Sequence, residues 1–520
     1  MDITGIINQG ATYWGDKTAV VCGEKKLTFR QVNERANRLA NGLLRLGYQP
    51  GNHIGSMMHN CSQYIEIFFA QHKLNAVRIT LNTRSNKEEL VWQINDSEIE
   101  LLFLGEEYVD EIVSIQANLK KIKHYIVIGG SAPGFIDYDG LLISGNAENP
   151  KIQTPETTLS RINYTGGTTG RPKGIMLSRQ SDMAVMRNLL LDTVPHLNQN
   201  DVFLGLQPLY HAVWSYILPC WVRGATQVIT HNFSPEPTLK LIQEEKVTII
   251  KTVPTVLTRI IEHPEIQKYD LSNIHSIIYG ASPIPFEKLK KGIQLFGQVF
   301  IQNYGQAEAP VTISTLKRED HRTHGTPEEM ERLTSAGRPY TFVDVRVVDE
   351  EGNEVTEGEL GEVIVSGDHM MDGYWNQPAE ETTASLRKGW IYTRDIGKFD
   401  AQGYLYLVDR KSEMIITGGL NVYPNEVEQI LYQHPAVMEA AVFSIPDEQW
   451  GESIAAAVAL KLGMKASDQE LMDLCRKNLA SYKKPKIITF HESLPKTEAG
   501  KISRRELKEP YWKEKARKVN

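Results

Sequence analysis

At 520 residues the chain exceeds what one ordinary hydrophobic core supports, so two or more domains are expected. A hydrophobic share of 41% with 23% charged residues is that of a soluble globular protein, and a formal net charge of -7 argues against a nucleic-acid partner. No apolar run approaches the ~18 residues of a membrane span, and Met1-Asp2-Ile3-Thr4-Gly5 has no basic leader, which makes the cytoplasm the default expectation. Cys22, Cys61, Cys220 and Cys475 lack metal or redox spacing and read as core packing.

The first part alternates strands with amphipathic helices. Thr28 and Gln31 form a capping box, and Val32, Ala36, Leu39, Leu43 and Leu46 recur at helical spacing until Gly47. The short apolar runs 65–70 and 101–104 read as parallel strands covered on both faces. Residues 129–157, rich in Gly, Ser, Asn and Pro, read as surface connection. Next comes Tyr164-Thr165-Gly166-Gly167-Thr168-Thr169-Gly170-Arg171-Pro172-Lys173-Gly174, which no packed helix or strand would tolerate. Its uncovered backbone N–H groups, hydroxyls and two cations suit a polyphosphate. It is not a Walker loop, because Lys173 lies between Pro172 and Gly174, and it lacks the glycine spacing of the dinucleotide fingerprint.

Further along, a strand at 202–206 leads to Pro208-Leu209-Tyr210-His211-Ala212-Val213-Trp214, and an apolar strand at 247–250 leads to Val253-Pro254-Thr255. Tyr279-Gly280-Ala281-Ser282-Pro283 ends another strand in small residues that let a planar ring approach the backbone. In Gln302-Asn303-Tyr304-Gly305-Gln306-Ala307-Glu308, Tyr304 can stack on a purine and Glu308 can hold a Mg²⁺ that bridges phosphate oxygens. Residues 334–367 turn strongly β. Beyond Gly389-Trp390-Ile391-Tyr392-Thr393-Arg394-Asp395 and Asp409-Arg410-Lys411-Ser412, the segment Thr417-Gly418-Gly419 allows close passage of a thin substrate arm. Ser467 with Glu470 caps a helix between strand-like runs, and Lys496-Thr497-Glu498-Ala499-Gly500-Lys501 lies near the end.

These motifs, in this order, resemble the adenylate-forming superfamily of acyl-CoA synthetases, adenylation domains and luciferases, and the likeness covers nearly the whole chain. The resemblance implies an α/β fold: a large N-terminal domain, 1–409, of mixed, mainly parallel sheets with helices and a small β-barrel-like part. A small mobile α+β domain, 410–520, carries the catalytic lysine. It implies that Thr165, Gly166, Gly167, Thr168, Thr169, Gly170 and Lys173 cradle the phosphates of ATP. Gly280, Ala281, Ser282, Asn303, Tyr304, Gly305 and Ala307 would hold adenine and the α-phosphate, and Asp395 and Arg410 the ribose. Gly418 and Gly419 would pass the pantetheine of CoA, and His211, Trp214 and Tyr279 would line the acid pocket. Lys501, Thr168, Glu308 and His211 would carry the chemistry, with Glu308 holding Mg²⁺. Four positions depart from the family pattern: Gly166 for Ser, Ala307 for Thr, Arg394 for Gly, and Ser412 at the hinge.

Amino-acid-activating relatives hold the substrate ammonium with an Asp just past His211, whereas this chain has Ala212, Val213 and Trp214. An unpaired buried ammonium is costly, so an apolar acid is favoured. The expected activity is ATP-dependent synthesis of an acyl-CoA from an apolar acid, a fatty acid foremost, through an acyl-AMP. The alternatives are an aryl-acid CoA ligase, an adenylation enzyme serving a carrier protein or amine, and a nucleotide-binding regulator built on a decayed synthetase. Carboxylic acid, ATP and CoA are the expected partners, without nucleic acid or an integral membrane segment, and a homodimer is among the assemblies this reading allows.

Overall fold

The computed structural model describes every residue except 1, 154, 165–171, 283, 411, 412, 418, 448, 498–500 and 520, and leaves out the side chains of 514–519. Two large sheets dominate. The nine-stranded sheet is parallel through its centre, where Ile249–Lys251 lies between Val202–Gly205 and Ser276–Gly280, with Phe300–Tyr304 next. The eight-stranded sheet is parallel from Leu159–Tyr164 through Val77–Thr80, His53–Met57 and Leu101–Gly105 to His124–Ile128. Gly174–Ser178 and Gly373–Trp375 extend it antiparallel, so the phosphate-loop segment joins two paired strands. Strand alternation divides the core of the nine-stranded sheet. Phe203, Ile249 and Ile278 pack on one face with the helices shared by both sheets, while Leu204, Ile250 and Ile277 pack on the other.

Local signals account for several elements. Thr28 and Gln31 form the expected capping box at the start of helix Phe29–Arg45, and Ser467 and Glu470 do the same for Asp468–Asn478. The run 65–70 is not a strand. It lies inside helix Ser62–Leu74, which ends on Asn75 in the left-handed conformation. Polar Glu66, Gln71, His72 and Lys73 are buried along with the apolar residues of this helix, so no stripe distinguishes it from a covered strand. The connection 129–157 contains helix Tyr138–Ser144, which packs on Phe29–Arg45.

The small β part is a five-stranded antiparallel sheet, Asp344–Val348, Gly361–Ser366, Trp390–Phe399, Leu386–Arg387 and Leu405–Arg410. Its hydrogen-bonded path among the described residues is open, not closed as a barrel. Arg410 is the last residue of its final strand, so this sheet runs one residue past the expected boundary. The C-terminal part is α+β. The long antiparallel pair Val437–Asp447 and Gly451–Leu460 is covered by Pro424–Leu431, Asp468–Asn478 and Arg504–Val519. All four cysteines are free, and no helix among the described residues is long and apolar enough to cross a membrane.

Candidate active site

The candidate residues gather at the carboxyl ends of the parallel strands, where open α/β sheets place their ligands. Phe300–Tyr304 delivers Tyr304, whose hydroxyl donates to Asp395 Oδ2 at 2.5 Å, and Arg410 Nε lies 3.2 Å from Asp395 Oδ1. Three residues distant in sequence thus form one chain of contacts. Gly280 is required by packing, since a Cβ there would stand 2.2 Å from the carbonyl oxygen of Asn303 on the next strand. Ala281 follows at φ 73° and Arg394 sits at φ 61°, both in the left-handed region where glycine is normally preferred. The departure at Arg394 therefore keeps the backbone shape that a glycine would adopt.

Glu308 Oε1 accepts from the Tyr374 hydroxyl at 3.0 Å. Lys173 lies over the ring of the same tyrosine, 5.2 Å from its centroid, and pairs with Glu381. Tyr374 thus joins the lysine of the phosphate loop to the candidate metal carboxylate, a link that no motif announced. Among the described residues no three side chains form a metal cluster. A lone carboxylate fits Mg²⁺, which takes its remaining ligands from phosphate oxygens and water.

His211 opens the turn 212–216, and its Nε2 is buried without a partner. Burial first, then the charges of Lys501 and Arg84, push its pKa down to about 4, so the ring is neutral near pH 7. Trp214, two positions beyond Ala212, is buried with its ring under the Arg161 guanidinium at 3.9 Å and 5.7 Å from that of Arg78. Beneath it, Asp182 binds Arg161 Nε at 2.8 Å and accepts from Ser160 at 2.6 Å, with Arg78 at 3.9 Å. Burial raises the Asp182 carboxyl, but Arg161 and Arg78 outweigh it and hold the pKa at about 2.

Two assigned side chains point elsewhere. Tyr279 is fully buried in the core on the sheet face opposite Ile278 and bonds His321 Nε2 at 2.9 Å, so its side chain is enclosed and does not line the acid pocket. Asn303 is turned into the core, where its amide meets Tyr216, Thr193 and Thr315. Alternation instead places Gln302 on the face of Tyr304, one position from the residue singled out in the sequence. The loop assignments Thr165, Gly166, Gly167, Thr168, Thr169 and Gly170, and Gly418 of the thin-arm pair, lie outside the described residues, while Gly419 is at φ 80°.

Lys501 is half-buried, and its carbonyl accepts from the Thr497 N–H at 2.7 Å. Burial first, and then the nearby charge of Arg410, lower its pKa to about 8, against the opposing pull of Asp395. Lys501 therefore feels the Asp395–Arg410 pair and is felt by His211. At the boundary, Asp409 accepts from the Asn425 backbone at 3.0 Å and lies 3.6 Å from Arg504, whose guanidinium also grips Glu428.

A strand-end cleft with this lysine, tyrosine and carboxylate set defines an adenylate-forming enzyme. The chain belongs to the AMP-binding enzyme family: residues 7–375 match the model of the AMP-binding enzyme, and 426–501 that of the AMP-binding enzyme C-terminal domain. Among its relatives, the medium/long-chain-fatty-acid–CoA ligase FadD8 of Mycobacterium tuberculosis is 31% identical, over 97% of this chain and 89% of that protein. Feruloyl-CoA synthase of an Amycolatopsis species is 33% identical, over 97% and 99% of the two chains. The solved anthranilate CoA ligase AuaEII, in complex with anthranoyl-AMP, superposes with a TM-score of 0.89 at 26% identity, covering 98% of this chain and 97% of that one.

Proposed function

We propose that the protein is an AMP-forming acid–thiol ligase that activates a carboxylic acid with an apolar body, an aliphatic acid foremost, and passes the acyl group to CoA. The observation that carries this reading is the meeting of Lys501 with Asp395, Arg410 and His211, four groups from distant parts of the chain. The relatives that activate fatty and aromatic acids add support.

A carboxylate is a poor acyl donor because its leaving group would be oxide. Its oxygen attacks the α-phosphorus of ATP, the P–O bond to pyrophosphate breaks, and an acyl-AMP forms. The CoA sulfur, as thiolate, then attacks the acyl carbon, a C–S bond forms, and AMP leaves with the C–O electrons. Two anions meet in the first step, so fixed positive charge is what the protein must supply. Lys501 brings it from the small domain and Lys173 from the loop strand. Neutral His211 offers a ring nitrogen to orient the acid without competing for the phosphates. Asp395, held by Tyr304 and Arg410, is placed to accept ribose hydroxyls. Glu308 would hold Mg²⁺, which neutralises phosphate charge when bound.

Asp395→Asn keeps the shape of the side chain but removes its charge, and it is expected to raise KM for ATP by about tenfold with a smaller change in kcat, read from initial rates of acyl-CoA formation. The whole reading is tested by exchange of labelled pyrophosphate into ATP across a panel of aliphatic and aryl acids. Acid-dependent exchange, with AMP release accelerated by CoA, is the expected result. Silence across the panel overturns the reading, and exchange without any response to CoA points to a carrier protein or an amine as acceptor.

A further inference from the structure

One buried cation lies outside the machinery described so far. Lys251 ends the strand Ile249–Lys251, and its residue as a whole is only 3% exposed. Its strand neighbours are Gly205 on one side and Ile278 on the other. Residues paired across parallel strands project from the same face, so the side chain of Lys251 shares the face of Ile249 and Ile278. Val213 also belongs to that face, because a Cβ on Gly205 would stand 2.3 Å from its Cγ1. Val213 is two residues past His211. Lys251 therefore stands one strand over, about 4.8 Å, from Gly205, the glycine against which Val213 packs just past His211.

No described group in the interior answers its charge. Among the described residues no carboxylate pairs with Lys251, and burial alone pushes its pKa down to about 7. The other deeply buried lysines differ: Lys73 reaches Asn8 and Asn149, and Lys288 is paired with Glu262. A buried, unpaired ammonium is costly unless a counter-charge arrives. The strand end places this one where a ligand would supply it.

Resting on the ligase reading above, we propose that Lys251 is a specificity-determining residue that holds a second carboxylate at the far end of an aliphatic acid. The body of the acid runs along Val213 and Ile278 while its reacting carboxylate sits at His211. The absence of an acidic residue at 212–214, which disfavours a substrate ammonium, agrees with a pocket whose polar end is cationic.

The test compares matched pairs, hexanoate with adipate, octanoate with suberate and dodecanoate with dodecanedioate, by kcat/KM in pyrophosphate exchange. For at least one length, the unaltered enzyme is expected to prefer the diacid by about tenfold, and Lys251→Met to abolish that preference. Preference of the unaltered enzyme for the monoacid at every length overturns the proposal without any variant. A Lys251→Met enzyme that keeps the original ratio overturns it as well. Exchange with monoacids alone leaves the ligase reading standing and removes only the role of Lys251, whereas no exchange with any acid removes the ligase reading itself.

Discussion

Lys501→Ala is expected to slow acyl-AMP formation on the order of 10²-fold or more, while CoA transfer from supplied acyl-AMP stays largely intact. The first half-reaction drives a carboxylate against a triphosphate, the larger charge repulsion of the two steps, and Lys501 is the cation that the small domain contributes beside Asp395 and Arg410. Equal loss in both halves would show that the lysine serves general binding. The pH dependence has a definite sign. A lysine carries its charge below its pKa, and burial has lowered this one to about 8. In the free enzyme, kcat/KM for ATP in adenylation should therefore fall as pH rises through about 8. Bound triphosphate favours the charged form, so kcat should hold to higher pH than kcat/KM.

Asp182→Asn is expected to destabilise the large domain by about 3–5 kcal/mol, read as a lower urea midpoint at unchanged slope. Asp182 is the acceptor between Arg161 and Arg78, and Arg161 already has two buried nitrogens with no partner. Removing the charge leaves both guanidiniums in a buried interior with the Trp214 ring but no carboxylate among the described residues to offset them. The carboxyl is depressed to about 2 from its ordinary 3.8, so its stabilising contribution is complete above about pH 4. That contribution is lost as pH falls toward 2, and Asp182→Asn should flatten this part of the acid-unfolding curve. A midpoint unchanged by the substitution would mean that water reaches the cluster.

Much of the fold was legible because its signals are local. The capping boxes at Thr28 and Ser467 and the strand-then-small-residue pattern at Gly280 depend on a few neighbouring residues, and each is where it was expected. The helix Ser62–Leu74 was not legible, since periodicity reports one wet face and this helix has none. The side of the strand taken by the Asn303 side chain was not legible for a related reason. The motif fixes the strand but not which side of it each residue takes, and a shift of one position exchanges core for cleft. Tyr374 and Lys251 carried no motif at all. Tyr374 stands out through its contacts with Glu308 and Lys173, which are remote in the chain, and Lys251 through having no counter-charge among the described residues. Such signals belong to the folded molecule.

Asp409 and Arg410 are neighbours in sequence that hold opposite lobes. Arg410 reaches back to Asp395 in the large one, and Asp409 reaches forward to Arg504 and Asn425 in the small one. Were the small lobe to pivot here, Arg504 would travel with Glu428 still in its grip, and Asp409 would have to find new company, as would Glu262, which faces Lys461 across the lobes. A joint of so few charged contacts is shallow enough for one lobe to turn against the other without unfolding either.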